Sequence, residues 1–261
     1  MELSNMAFAR SKPFIIAVTG GSGSGKSTLA KLLIKHLGSD KCALILMDNF
    51  YLSANKDTTL NDRAAHNYDK PSAIDADMFY QTLQSLAKGL AVTYPIYDFK
   101  THDRSLNCKH QAPKEFIIVD GIFALHDSRV RALIDVSIYV DASKDIAFIR
   151  RLLRDVSERG RTVESVTMQY QATVRPGYLQ YILPTRSVAN LVIDNNHPDF
   201  AFNLQAIMRA ISKCRPTHTH LCQASFYSPA KTAPHLTNER INPHDAASSL
   251  SLEQMNSPYP R

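Results

Sequence analysis

A glycine-rich run near the N-terminus constrains the fold of this chain more than any other feature of its sequence. The run fits the pattern G-x-x-x-x-G-K-[ST] and consists of Gly20, Gly21, Ser22, Gly23, Ser24, Gly25, Lys26, Ser27 and Thr28. Glycines let the backbone turn tightly and point several N–H groups at one anion. Residues 14–19 are apolar like a buried strand, and leucines at helical spacing follow the run. These features predict a P-loop at a helix N-terminus, in which Lys26 contacts the terminal phosphates of a nucleotide and Ser27 contacts Mg²⁺.

The composition of the chain excludes several other classes of protein. With 261 residues, 44% of them hydrophobic, the chain is long enough for one sizeable α/β domain, alone or with a tail. Its four cysteines are scattered without a C-x-x-C pair, which favours neither a zinc site nor a disulfide framework and indicates the reducing cytoplasm. No segment resembles a signal peptide or a membrane span, so we expect a cytoplasmic protein without a membrane partner. The net charge of +6 suits either nucleic acid or a polyanionic substrate.

Strand and helix signals alternate from residue 14 to about residue 213. Further apolar strands are predicted at residues 42–47, 116–119, 136–140 and 189–193, and helices at residues 76–88 and 199–213. Near-continuous apolar strands separated by helices predict an α/β fold, with a P-loop NTPase-type parallel sheet and helices on both faces. Ligands of such sheets bind beyond the carboxyl ends of the strands, where Asp48 and Asp120 are expected.

Two segments do not follow this alternation. Residues 92–112 are rich in Tyr, Thr, His and Lys around a turn-like stretch at 101–104, which predicts a β-hairpin flap. Residues 214–261 hold six of the thirteen prolines and none of the nine glycines, without helical or strand periodicity. We therefore expect an N-terminal extension (1–12), a P-loop domain (13–213) and a mostly disordered tail (214–261).

The two aspartates at predicted strand ends carry possible chemistry. Asp120 follows an apolar strand in the position of a Walker B carboxylate, which holds Mg²⁺ directly or through water. Asp48 could take the proton of an attacking hydroxyl group during phosphoryl transfer. For each residue the alternative is a carboxylate that caps the following turn, and for Asp48 alone the two interpretations are equally good.

Five arginines crowd one short segment, namely Arg150, Arg151, Arg154, Arg159 and Arg161. Apolar residues at helical spacing predict the inward face of this helix, namely Ile146, Ile149, Leu152, Leu153 and Val156. Like charges three or four residues apart on a helix repel each other, so an anionic phosphate is the better explanation of the cluster. The alternative is a solvated basic face or an RNA-binding patch.

Together these segments resemble the uridine kinase family of P-loop nucleoside kinases. The resemblance runs from about residue 13 to residue 212, and its most specific parts are YPIYDFKTH at Tyr94–His102 and RRLLRDVSERGR at Arg150–Arg161. It implies phosphorylation of the 5′-hydroxyl group of uridine and cytidine to UMP and CMP, with ATP or GTP as donor and Mg²⁺ as cofactor. It also implies small-molecule rather than nucleic-acid partners and a homo-oligomer, since the family tends to form tetramers.

The resemblance implies a role for each candidate residue near the phosphates. Asp48 would be the catalytic base, beside Lys26 of the P-loop. Arg154 and Arg159 would lie in an Arg-rich lid over the triphosphate. Ser27 and Asp120 would organise Mg²⁺, although family members usually have Glu at the position of Asp120.

The resemblance also implies a nucleoside-binding set, which consists of Tyr51, Tyr68, Asp69, Tyr97, His102, Arg151, Arg161 and Gln169. Asp69 would hold the ribose hydroxyl groups with help from two arginines. Tyr97 and His102 would read the edge of the pyrimidine, and Tyr68 would stack near it. Lys70, Ser72 and residues 194–197 depart from the family pattern, which leaves the preferred donor and the affinity open.

Three other functions remain as alternatives. A phosphoribulokinase-like or pantothenate kinase-like enzyme would use the same scaffold, but a flap built for a base has no use on a sugar phosphate. A GTPase-type switch needs an N-K-x-D motif after a late strand, and none occurs there. An RNA-binding protein would use the basic surface, but no RNA-recognition signature is present.

Overall fold

The structure, a computed structural model, describes residues 12–53, 57–196 and 201–214. Its strands are β1 (Phe14–Thr19), β2 (Cys42–Leu46), β3 (Val92–Asp98), β4 (Asp103–Gln111), β5 (Phe116–Asp120), β6 (Val136–Asp141) and β7 (Leu191–Asp194). Five of them form a parallel sheet in the order β2-β5-β1-β6-β7, and β3 pairs with β4 as an antiparallel hairpin. The predicted α/β fold and the predicted hairpin are thus confirmed.

The helices surround this sheet. They are α1 (Lys26–Leu37), α2 (Leu60–Ala65), α3 (Ala76–Ala87), α4 (Ser128–Arg131), α5 (Lys144–Arg159), α6 (Val163–Gln169), α7 (Arg175–Gly177) and α8 (Ala201–Cys214). Short π-helical segments, Tyr170–Val174 and Tyr178–Ile182, continue the chain before and after α7. Within the described residues no helix combines the length and the apolar character that a membrane crossing requires.

Local sequence signals account for several helix ends. The Asp75 side chain caps α3 by accepting the Met78 N–H at 3.1 Å, as a short polar side chain at this position does. Gly38 ends α1 with a φ of 97°, a conformation that favours glycine. Most of the predicted extension (1–12) and tail (214–261) lies outside the described residues, as do Asp199 and Phe200 of the last predicted helix.

The sheet is buried on both faces, which explains why its strands are apolar without alternation. On one face, Ile15 of β1 belongs to a core that includes Leu83 of α3. On the other face, Ile16 belongs to a second core with Leu33 of α1 and Ile207 of α8. The helices therefore cover both faces, and the carboxyl ends of β1, β2 and β5 open toward one common edge.

The predicted inward face of α5 was wrong. Three of its apolar residues are exposed to solvent: Ile149 by 53%, Leu153 by 65% and Val156 by 39%. The buried stripe instead contains Arg151 and Asp155. Helical spacing identifies residues that share a face but not which face turns inward, and here buried charges that pair with each other occupy the inner face.

The hairpin is attached to the sheet edge by polar contacts. The Tyr97 backbone N–H donates to Asn49 Oδ1 at 3.1 Å, and Asn49 lies in the turn that follows β2. Arg104 of β4 donates to the Tyr51 carbonyl oxygen at 2.8 Å and forms an ion pair with Asp75 at 3.2 Å. These contacts hold the hairpin beside the strand ends that carry Asp48 and Asp120.

Candidate active site

A cavity of about 420 Å³ lies at the carboxyl edge of the sheet. It is lined by Ser22, Lys26, Asp48, Tyr51, Tyr68, Asp69, Tyr97, Phe99, Lys100, His102, Ile122, Arg151, Arg154, Arg159, Arg161, Ser165 and Gln169. The cavity therefore brings together most residues that the sequence predicted, from the P-loop, the turn after β2, the hairpin, α5 and α6. The remaining predicted residues stand outside its lining, namely Gly20, Gly21, Gly23, Ser24, Gly25, Ser27, Thr28 and Asp120.

The P-loop connects β1 to α1 in a conformation that requires glycine. Gly23 and Gly25 have φ angles of 80° and 97°, in the region that side chains strongly disfavour. A Cβ atom on Gly23 would also overlap the carbonyl oxygen of Ala147, so this glycine admits helix α5 close to the loop. Helix α1 begins at Lys26, and its N-terminus faces the cavity as a phosphate site requires.

Three charged side chains lie close together at the start of α1, namely Lys26, Asp48 and Asp120. Burial raises the pKa of the Asp48 carboxyl group, and the Lys26 ammonium group opposes this shift. Burial lowers the pKa of Lys26, while Asp120 and Asp48 act in the other direction. The ammonium group thus lies within electrostatic reach of both carboxylates, which is the arrangement expected around a bound triphosphate.

Asp120 has free capacity to accept a further contact. It ends β5 and is 6% exposed, and its Oδ1 atom is buried without a hydrogen-bond partner among the described residues. Ser27 lies in the first turn of α1. A carboxylate and a hydroxyl group are hard oxygen ligands, so the donor set fits Mg²⁺.

Asp69 also lines the cavity and is held by contacts from two residues. It is 7% exposed, and its Oδ2 atom accepts a hydrogen bond from Thr173 Oγ1 at 2.8 Å. Gly177 packs against its backbone. Burial raises the pKa of the Asp69 carboxyl group, while Arg151 and the Thr173 hydroxyl group favour the charged form. The second oxygen of this carboxylate is the candidate acceptor for ligand hydroxyl groups.

Aromatic rings from the hairpin and from neighbouring segments form one wall of the cavity. Tyr68 and His102 are stacked with an interplanar angle of 22° and a centroid distance of 5.7 Å. Tyr51 contacts the edge of Tyr68 at 5.3 Å and lies tilted against Tyr97 at 5.1 Å. Burial, with Arg161 and Arg159, lowers the pKa of His102, so its imidazole is neutral at pH 7. This wall offers flat apolar surface with one neutral donor and acceptor group.

Arginines of α5 and of the turn that follows it line the cavity. Arg151 donates to Ser22 Oγ at 2.7 Å and to Gln169 Oε1 at 2.8 Å. Arg161 also donates to Gln169 Oε1. The guanidinium group of Arg159 lies 4.4 Å from the ring centroid of Phe99. Of the five arginines in the sequence cluster, Arg150 does not line the cavity and donates to the Asn195 carbonyl oxygen at 2.9 Å instead.

Several residues that contact the site were not among the predicted site residues. Asn195 donates through Nδ2 to the Ser24 carbonyl oxygen of the P-loop at 2.6 Å. Thr173 and Gly177 hold Asp69, and Asp155 pairs with the arginines of the cavity. Only Asp155 left a readable signal, since it lies four residues from both Arg151 and Arg159. The other contacts join distant parts of the chain and have no local pattern.

Comparison with known proteins agrees with this geometry. The model of the Phosphoribulokinase / Uridine kinase family matches residues 15–199. A uridine kinase from Leuconostoc citreum (strain KM20) is 42% identical over 197 residues, which cover 75% of this chain and 92% of that protein. A uridine kinase from Geobacillus sp. (strain WCH70) is 41% identical over 215 residues, which cover 82% of this chain and 98% of that protein.

Solved structures show the same fold at lower identity. Phosphoribulokinase from Rhodobacter spheroides superposes with a TM-score of 0.53 and 18% identity, and the match covers 70% of each chain. That likeness shows the fold alone, whereas the family match and the two relatives cover most of this sequence. From the P-loop, the sheet order and these matches, we conclude that the chain is a kinase that belongs to the phosphoribulokinase / uridine kinase family.

Proposed function

We propose that this protein transfers the γ-phosphoryl group of ATP to the 5′-hydroxyl group of uridine or cytidine and forms UMP or CMP. The observation that carries the proposal is the composition of the cavity. The cavity combines aromatic side chains, the buried Asp69 carboxylate and residues of the P-loop, and its volume of about 420 Å³ suits a small molecule. A nucleoside presents a flat ring, vicinal hydroxyl groups and one primary hydroxyl group, and each has a matching surface.

The nucleoside end of the cavity supports recognition of a pyrimidine. Asp69 would accept hydrogen bonds from the vicinal ribose hydroxyl groups. The ring would lie beside Tyr68, with Tyr97 and His102 at its edge. A neutral imidazole donates in one tautomer and accepts in the other, so His102 suits both a uracil carbonyl group and a cytosine amino group. Both pyrimidine nucleosides are therefore expected as acceptors.

The phosphate end supports an in-line transfer. The 5′-oxygen would form a bond to the γ-phosphorus as the bond from that phosphorus to the β-γ bridging oxygen breaks, and ADP leaves. Asp48 would take the proton of the hydroxyl group. Lys26, Arg154 and Arg159 would stabilise the charge that develops on the transferred group. Mg²⁺, for which Ser27 and Asp120 are the candidate ligands, would neutralise phosphate charge when bound.

A phosphorylated sugar is the second candidate acceptor. Four arginines line the cavity, and guanidinium groups bind phosphate well. The stack of Tyr68 on His102 favours the nucleoside, because a sugar phosphate offers no ring for that wall.

An acceptor screen tests the proposal. The enzyme is incubated with ATP and Mg²⁺ and with uridine, cytidine, adenosine, ribulose 5-phosphate or pantothenate in turn, and formation of ADP and of the phosphorylated acceptor is measured. We expect turnover with uridine and cytidine and little with the other three. Turnover with ribulose 5-phosphate or pantothenate alone would replace the proposed acceptor, and equal use of adenosine would reject a pyrimidine site.

A further inference from the structure

Asp155 is a fully buried carboxylate that forms ion pairs with the four arginines that line the cavity. Its Oδ1 atom lies 2.7 Å from Arg154 Nη2 and 3.4 Å from Arg159 Nη1. Its Oδ2 atom lies 3.6 Å from Arg151 Nε and 3.8 Å from Arg161 Nη1. The exposed fraction of its side chain is 0%, so Asp155 itself cannot touch a ligand in the cavity.

Backbone contacts tie the same residue to the end of α5. The Asp155 carbonyl oxygen accepts the N–H of Gly160 and, at 3.1 Å, the N–H of Arg161. Gly160 has a φ of 65° and turns the chain back toward the cavity. Through its side chain and its backbone, Asp155 therefore contacts residues on both sides of this turn.

The charge balance indicates what the carboxylate does. Four guanidinium groups crowd one side of the cavity, and like charges at this spacing repel. One buried negative charge within 3.8 Å of a nitrogen atom of each arginine offsets part of that repulsion, although Asp155 Oδ2 and Arg151 Nε form no hydrogen bond among the described residues. Asp155 accepts two hydrogen bonds from Arg154, at 2.9 Å and 2.7 Å, so the orientation of that guanidinium group depends on it directly.

We propose that Asp155 is a positioning residue for phosphoryl transfer, which acts by holding the arginines of the cavity in the orientation that the reaction needs. This inference rests on the proposed kinase function. The triphosphate in its ground state would be bound mainly by the P-loop, which Asp155 does not contact. The arginines would matter most when charge develops on the transferred group, so the loss of Asp155 should lower kcat more than it raises the KM for ATP.

The test compares Asp155→Asn with Glu158→Gln. Both substitutions remove one carboxylate from α5, but Glu158 is exposed and lies outside the cavity. We measure kcat and both KM values with ATP and uridine, and we count active sites by ATP-binding stoichiometry so that misfolded protein is excluded. For Asp155→Asn we expect kcat to fall by about 10- to 100-fold with the KM for ATP changed less than about threefold. Glu158→Gln should stay within about twofold of the parent.

Each outcome has one meaning. An inactive parent enzyme would reject the proposed function, and the inference about Asp155 would fall with it. An active parent with normal kcat per ATP-binding site in Asp155→Asn would overturn the positioning role, even if the melting temperature fell. If Asp155→Asn does not fold, Asp155→Glu retains the charge and displaces it by one methylene group. A lowered kcat at unchanged KM for ATP then supports the role, and a normal kcat overturns it.

Discussion

Gly177 packs directly on the backbone of Asp69. A Cβ atom on residue 177 would overlap the Asp69 carbonyl oxygen and lie 3.0 Å from the Asp69 Cβ atom. The position of the Asp69 carboxylate therefore depends on residue 177 being a glycine, although the two residues lie more than a hundred positions apart in the chain. Thr173, one turn earlier in the same helical stretch, donates to the carboxylate at 2.8 Å.

Gly177→Ala should displace Asp69 and weaken nucleoside binding. Because the added methyl group meets backbone and not a flexible side chain, we expect destabilisation of about 1–3 kcal/mol and a clear rise in the KM for uridine. The KM for ATP should change less, since the added methyl group meets Asp69 and not a residue of the P-loop. Thermal unfolding and steady-state kinetics measure the two effects, and an unchanged KM for uridine would show that Asp69 does not bind the acceptor.

Thr173→Val should have an effect of the same kind and of similar size. It removes the hydrogen bond to Asp69 but keeps the shape of the side chain, and a lost hydrogen bond to a charged group costs about 1.5–3 kcal/mol. Thr167→Val is the matched control, because the Thr167 hydroxyl group donates only within its helix, to the Val163 carbonyl oxygen at 2.8 Å. A KM for uridine that rises equally in both variants would contradict the assigned role of Thr173.

Asp48→Asn should abolish transfer and leave ATP binding nearly intact. Asparagine retains the shape but cannot take the proton, and a general base typically contributes about 10²- to 10⁴-fold. In the parent enzyme burial raises the pKa of Asp48, and the base acts only when ionised. The acid limb of kcat/KM should therefore lie above the ordinary aspartate range near pH 4. Activity within tenfold of the parent would exclude Asp48 as the base.

His102→Ala should impair the binding of pyrimidine nucleosides rather than the chemistry. The loss of one hydrogen bond to the base should cost roughly 1–3 kcal/mol, seen mainly as a higher KM for uridine and cytidine. Since the pKa of His102 is lowered, the same KM values in the parent enzyme should rise only below the usual titration range of histidine. His110→Ala, in strand β4 but outside the cavity, is the control. Equal effects of the two substitutions would argue against base reading by His102.

Asn195→Ala should loosen the P-loop and raise the KM for ATP. Asn195 is 4% exposed and joins the end of β7 to the Ser24 carbonyl oxygen, which is left buried without this donor. Asn196→Ala is the control, because the adjacent Asn196 side chain accepts a hydrogen bond from Ser143 instead. The KM for uridine should be unaffected in both variants. A normal KM for ATP in Asn195→Ala would show that the P-loop holds its shape without this contact.

Features that depend on short stretches of chain could be predicted from sequence. The P-loop needs glycines at set positions, buried parallel strands need apolar runs, and Asp48 and Asp120 directly follow such runs. The hairpin also emerged correctly, because its turn residues and flanking composition are local. The roles of these site residues in substrate binding and catalysis stay predictions.

Contacts between segments that are distant along the chain could not be predicted, because they form only in the folded protein. The apolar residues of α5 predicted its inner face, yet the inner face holds Arg151 and the fully buried Asp155. Thr173 lies 104 residues from Asp69, and Asn195 lies 171 residues from Ser24. The sheet strands, several helices and the phosphate-binding loop could be predicted because they follow from local backbone preferences and hydrophobic periodicity, whereas α2, α6 and the π-helical segments were not predicted. The orientation of α5 and the supports of Asp69 and the P-loop depend on pairing between charges and backbone groups that only folding brings together.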